Sequence, residues 1–147
     1  MNNFKTALIT GASSGIGFEL ISLFARDKIN LILVARNKKK LEDIQEKISN
    51  KYSVKVYIFP CDLSISNSAK KVYNYCMTKN LKINYLVNNA GFGIYGEFVN
   101  NEFIDIQQMI HLNISSLTEL TKFFLNNMKK EKFGRIMNVA SVASFQP

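Results

Sequence analysis

The sequence is poor in the residues that build metal and disulfide sites. It holds one histidine and two cysteines among 147 residues. Cys61 and Cys76 lack the close pairing of a zinc motif, and His111 alone cannot complete a tetrahedral set, which excludes a zinc site. Both cysteines read instead as small core residues in a reducing compartment. Proline is nearly absent, and its two copies, Pro60 and Pro147, fall just outside the predicted elements. No apolar run reaches the roughly 20 residues that span a bilayer. The opening MNNFKTALIT lacks the basic, apolar and small-residue zones of a secretory signal. These absences predict a cytoplasmic protein with no membrane partner. Acidic residues are also scarce, 11 against 19 Lys and Arg, for a net charge of +8. Lysines cluster at 38–40 and at 129, 130 and 132. Such a surface attracts anions. With no aromatic-and-basic stripe or recognition motif beside them, these lysines read as solvated helix faces, and no nucleic-acid partner is expected.

What is present is alternation. Five short apolar runs, TALIT, LILVA, VKVYIF, INYLV and RIMNV, have the length and the β-branched content of strands. The first, second and fourth are almost continuously apolar, which suits strands covered on both faces. Between them lie segments of helical spacing. Ile16, Leu20, Leu23 and Phe24 would share one face, Leu41, Ile44 and Ile48 another, and Ile65, Ala69, Val72 and Cys76 a third, with Ser64 as N-cap. A long fourth helix would run from Phe103 through Ile106, Ile110, Ile114, Leu117 and Phe124 to Met128. The order β-α-β-α-β-α-β-α-β demands parallel strands and right-handed crossovers. No linker or repeat interrupts it, so one domain over 1–147 is expected.

The turn after the first strand reads TGASSGIG. Gly11, Gly15 and Gly17 allow a tight turn and leave room for a phosphate against the backbone. The helix that follows offers unpaired N–H groups and a positive dipole end. Ser13 and Ser14 add hydroxyl donors, and Gly17 would let the helix approach the strand. A ligand-free flexible turn is the alternative. A turn after the first strand of an alternating chain favours a dinucleotide pyrophosphate.

The second strand ends at Ala35, and Arg36 follows. Dinucleotide enzymes that prefer NAD often place an acid here for the ribose 2′-hydroxyl. From Leu31 to Leu41 there is none. Arg36 can instead grip a 2′-phosphate through two hydrogen bonds, with Lys38, Lys39 and Lys40 adding field. NADP(H) is therefore favoured over NAD(H), against the alternative of a solvated basic helix start.

TGASSGIG, CDLS, NNAG and the strand-end Ser141 follow one another over nearly the whole chain. Together they resemble the short-chain dehydrogenase/reductases, and the glycine spacing resembles the compact rather than the extended branch. With the rule for doubly wound folds, the resemblance implies a Rossmann-like parallel sheet of five strands in order 3-2-1-4-5, helices on both faces, incomplete at the C-terminus. It implies hydride transfer between the nicotinamide of NADP(H) and a small-molecule carbonyl or alcohol, with a ketone or a 3-oxoacyl compound as the family default. It also implies roles. Gly11, Ser13, Ser14, Gly15, Ile16 and Gly17 match the pyrophosphate loop, and Arg36 the reader of the 2′-phosphate. Asp62 matches the acceptor for the adenine amino group, with Leu63 beside the ring; taken alone, Asp62 reads equally well as a turn acid. Asn89, Ala90 and Gly91 match the segment along the cofactor ribose, although asparagine amides at a strand end also serve backbone groups. FGIYGEF would then lie at the substrate mouth. Asn113 resembles the helix-kink asparagine that holds a water in a proton relay. Ser141 resembles the serine that orients the substrate carbonyl, Ser144 being the weaker choice. His111 matches no role.

The family's chemistry centres on a Tyr-x-x-x-Lys pair downstream of that serine, in which lysine lowers the tyrosine pKa and tyrosine donates the proton. All six tyrosines precede Ser141. The chain alone is therefore expected to lack normal turnover. A catalytically silent nucleotide-binding or interaction module is the second reading, and a non-redox enzyme of the extended branch the third, against which the glycine spacing counts. The last strand would be an uncovered apolar edge that favours self-association. The long fourth helix resembles half of the family's dimer interface, so a homo-oligomer is expected of the whole protein.

Overall fold

The computed structural model describes residues 5–145, the side chain of Ser144 excepted. The three most apolar runs form the interior of one sheet: β1 (Thr6–Thr10), β2 (Asn30–Ala35) and β4 (Tyr85–Asn88). The edge positions go to β3 (Val56–Pro60) and β5 (Arg135–Asn138). All neighbours pair in parallel, in the order β3-β2-β1-β4-β5. This is the expected doubly wound fold. Pro60 ends β3 rather than lying beyond it. An outer strand tolerates proline there because no ladder donor is needed.

Alternation along the strands sends side chains to two separate cores. Ala7 and Ile9 of β1 pack with Leu31 and Leu33 of β2 beneath α1 (Gly15–Arg26) and α2 (Lys38–Tyr52). Leu8, Ile32 and Leu86 pack on the other face against α3 (Ser68–Thr78) and α5 (Leu117–Lys130). Helices on both faces explain why β1 is buried at every position. In α2 the expected stripe Leu41, Ile44 and Ile48 is the buried one.

Of the stripe expected for α1, Leu20 and Phe24 pack against the core, but its centre is rotated. Ile16 and Leu23 are exposed, and Gly17, Ile21 and Ala25 are buried. Gly17 lies where the helix meets the turn and Asn89, a place that admits no Cβ. Its i, i+4 successors follow it inward. The third helix starts later than expected. Asn67, not Ser64, is its N-cap, and Ile65 is exposed outside it. Ser64 is held elsewhere: its N–H and its hydroxyl both donate to Asp62 Oδ1, at 2.9 and 2.7 Å.

The long fourth helix is α4 (Phe103–Ile110) joined to α5 through a π-helical segment, His111–Ser116. The extra residue in that turn breaks the simple 3.6-residue stripe. Leu120, Phe124 and Met128 are buried, whereas Phe103, Ile110 and Ile114 face outward. Among the described residues no helix is long and apolar enough to cross a membrane.

Candidate active site

The C-terminal ends of the strands open on a cleft of ≈ 890 Å³. Parallel sheets bind ligands at this end, where the strand order reverses between β1 and β4. Of the residues assigned to the site from sequence, all but Gly17 line this cleft. They follow the sheet order. Asp62 and Leu63 come after β3, Arg36 after β2, the glycine turn after β1, Asn89 to Gly91 after β4 and Ser141 after β5.

The turn is shaped by its glycines. Gly11 has φ +65°, and a Cβ on it would meet Asn89 Nδ2 at 2.7 Å and the Ala90 Cα at 3.0 Å. Gly17 is buried, and a Cβ there would strike the Asn89 amide and come within 2.6 Å of Gly11 O. Gly17 thus serves packing, as its place in the turn suggests, and not the ligand surface. Ser14 is the N-cap of α1, yet its side chain makes no capping hydrogen bond, and no acid occupies the first turn. The first N–H groups of α1 therefore keep their positive end unneutralised, which suits an anion. On α2 the opposite holds. Asn37 caps that helix by accepting from Lys40 N at 3.0 Å.

Thr10 is the residue that sequence reading passed over. It is buried, its hydroxyl donates to Val87 O at 3.2 Å, and it accepts from Asn89 N at 2.9 Å and Ala90 N at 3.0 Å. One hydroxyl so fixes the backbone at which β4 enters the cleft. A threonine at the C-terminal end of a strand buried at every position was the available signal. Asn89 returns the tie by donating from Nδ2 to Thr10 O at 2.9 Å and to Gly11 O at 3.3 Å. Its amide nitrogen is thus tied to the glycine turn. Asn88 is turned toward the sheet, where Nδ2 donates to Thr121 Oγ1 at 3.1 Å and to Asn138 Oδ1 at 2.9 Å.

Asp62 is oriented by the turn it makes with Ser64, which uses Oδ1. Asn113 lies in the π-helical segment and clasps the loop after β4. Its Nδ2 donates to Phe92 O at 2.8 Å, and its Oδ1 accepts from Phe92 N at 3.2 Å. The side chain expected to serve a proton relay is here seen to hold the loop from Gly91 onward. Ser141 is exposed just past β5, and its Oγ accepts from Ala143 N at 3.1 Å. The side chain of Ser144 is outside the described ones. His111 opens the π-helical segment, half-buried, and is not among the residues that line the cleft.

The two thiols differ. Burial pushes Cys76 up to about 12, and it pushes Cys61 upward too, against the hydroxyl of Ser68 and the charge of Lys71. Cys61 lines the cleft, whereas Cys76 is sealed on the inner face of α3. Iodoacetamide at pH 8 is expected to label Cys61 well before Cys76 in the native chain; equal rates would contradict the packing. The raised Cys76 thiol also links stability to pH. The contribution is whole below its ordinary value of 9.0 and is lost as pH climbs toward about 12.

The chain belongs to the short-chain dehydrogenases: the family model "short chain dehydrogenase" matches residues 5–147. A fatty acyl-CoA reductase of Acinetobacter baylyi is 34% identical over 142 residues, covering 94% of this chain and 47% of that protein. The bulky-bulky ketone specific alcohol dehydrogenase from Comamonas testosteroni superposes with a TM-score of 0.92 at 34% identity, covering 99% of this chain and 58% of that one. A short-chain dehydrogenase from Sphingobium yanoikuyae, solved in complex with NADPH, gives a TM-score of 0.91 at 34% identity, covering 98% of this chain and 56% of that one. The chain spans about half the length of the curated relatives it matches.

Proposed function

We propose that the cleft binds NADP(H) and serves hydride transfer between the nicotinamide and a ketone or other carbonyl compound. The observation that carries this is the gathering of the glycine turn, Arg36, Asp62, the NNAG backbone, Asn113 and Ser141 along one cleft in sheet order. The residues fit a dinucleotide. A side chain is excluded at Gly11, the N-cap Ser14 makes no side-chain hydrogen bond to the first N–H groups of α1, and a cation follows β2 with no acid from Leu31 to Leu41. Gly11, Ser13, Ser14, Gly15 and Ile16 would hold the pyrophosphate on backbone N–H groups, with Gly17 seating the helix behind them. Arg36 would take the 2′-phosphate. Asp62 would accept from the adenine amino group beside Leu63, and Asn89, Ala90 and Gly91 would carry the ribose. When bound, the nicotinamide supplies or accepts the hydride. Ser141 would donate to the substrate carbonyl and orient it. Asn113 would hold the loop opposite and a water beside it.

Among the described residues no tyrosine lines the cleft. The 147-residue chain is therefore expected to bind NADPH while oxidising it against a ketone at a rate depressed by about 10²–10⁴-fold, the usual worth of a general acid. NADPH fluorescence reads both quantities. Binding with full turnover would contradict the assigned acid, and no binding would overturn the reading. The missing tyrosine also favours the second reading, a nucleotide-binding module without chemistry, for these residues taken alone. The whole protein is proposed to be a homo-oligomer, because α4 and its continuation turn Phe103 (71% exposed) and Ile114 (60% exposed) outward. Light scattering is expected to give a mass above the monomer; a monomer at high concentration would contradict it.

A further inference from the structure

The Asp62 carboxylate is held by a peptide unit that a residue far along the chain grips from behind. Ser116 ends the π-helical segment and is 1% exposed. Its hydroxyl donates to Leu63 O at 2.6 Å, across 53 positions of sequence. The Leu63 carbonyl and the Ser64 N–H belong to one rigid trans peptide plane and point to opposite sides of it. That N–H donates to Asp62 Oδ1 at 2.9 Å, and the Ser64 hydroxyl reaches the same oxygen at 2.7 Å. What fixes the carbonyl therefore fixes the direction of the N–H, and the N–H fixes the carboxylate. The turn is tied before Asp62 as well, where Cys61 N donates to Ala35 O at 2.9 Å. Asp62 stands between these two ties, and both it and Leu63 line the cleft.

A buried carbonyl needs a donor wherever it lies, and that need alone would make Ser116 a structural residue. The peptide it grips is the one that carries the donor to Asp62, which gives the bond a second consequence. We propose that Ser116 is a positioning residue for the adenine: through the Leu63–Ser64 peptide it aims the Asp62 carboxylate at the adenine amino group. Ser116 is not itself among the described residues that line the cleft. The proposal rests on the adenine assignment of Asp62 and deepens it, since it names the buried hydroxyl that sets the selectivity for that base.

The test compares two bases. Adenine offers an amino group to a carboxylate, whereas hypoxanthine carries a carbonyl in that position. The 147-residue chain is titrated by calorimetry with adenosine 2′,5′-bisphosphate and with inosine 2′,5′-bisphosphate. The unmodified chain is expected to prefer the adenosine form about tenfold, the worth of one hydrogen bond to a charged group. Ser116→Ala is expected to shrink that preference below about threefold while the inosine form binds as before, and Ser116→Thr, which keeps the hydroxyl, to restore it. A Ser116→Ala chain that keeps the full preference would overturn the inference. So would one that weakens both nucleotides equally, because a merely structural serine would do that. Where circular dichroism shows Ser116→Ala unfolded, Ser116→Cys, close in volume and only a weak donor, is read on the same terms. An unmodified chain that binds the two nucleotides equally, or neither, would sink the adenine assignment itself and the inference with it.

Discussion

Arg36→Asp is expected to abolish the preference for NADPH over NADH, weakening NADPH about 10²-fold while leaving NADH unchanged or improved. The physical case is direct. Arg36 follows the last residue of β2 and lines the cleft. Ala35, before it, is buried, so the chain direction at the strand end fixes where the guanidinium emerges. A guanidinium makes two charge-assisted hydrogen bonds to a phosphate, and each is stronger than a neutral one. Aspartate removes them and sets a like charge against the phosphate, yet it can accept from a ribose hydroxyl. Lysine offers no substitute in the same place: Lys38, Lys39 and Lys40 are not among the described residues that line the cleft. Paired titrations of both nucleotides on the variant and the unmodified chain check this. Equal affinities in the unmodified chain, or a ratio that moves less than about threefold on substitution, would refute the role of Arg36.

Gly17→Val is expected to destabilise the fold by at least about 2 kcal/mol and to remove nucleotide binding. Valine would drive its Cβ into the Asn89 amide and the Gly11 carbonyl, both of which shape the turn. Relief requires α1 to back away from the sheet, which opens the buried stripe of Ile21 and Ala25 and carries the helix N-terminus off the phosphate position. Gly93→Ala is the contrast. It lies in the cleft lining, a Cβ there meets nothing within 4 Å, and its stability should stay within about 0.5 kcal/mol of the parent. Urea unfolding and NADPH titration read both variants. A Gly17→Val chain as stable as Gly93→Ala would mean that the close approach of helix and turn does not matter.

The fold was legible in the sequence because it depends on patterns that span many residues. Runs such as LILVA, separated by helical spacing, leave few arrangements besides a parallel sheet covered on both faces. The cleft lining was legible where a backbone must be bare, as at Gly11, or where a strand end carries a charge, as at Arg36. Local detail was harder to see. The rotation of α1 depends on which single position meets the turn and Asn89, and spacing alone cannot choose between Gly17 and Ile16. Ser64 looked like a helix cap, and Asp62 captured it first. The π-helical turn at His111–Ser116 leaves no trace in hydrophobic spacing beyond an irregular stripe, so the clasp of Asn113 on Phe92 emerged only in three dimensions. Thr10 was hidden for a related reason: its three hydrogen bonds all reach residues 77 or more positions away.

A crystal structure of the chain grown with saturating NADPH tests the central claim most directly. The account predicts adenine beside Asp62 and Leu63, the 2′-phosphate on Arg36, the pyrophosphate over the glycine turn at the start of α1, and the nicotinamide between Asn89–Gly91 and Ser141. Nucleotide density elsewhere on the molecule, or a cleft that stays empty at saturation, would contradict it.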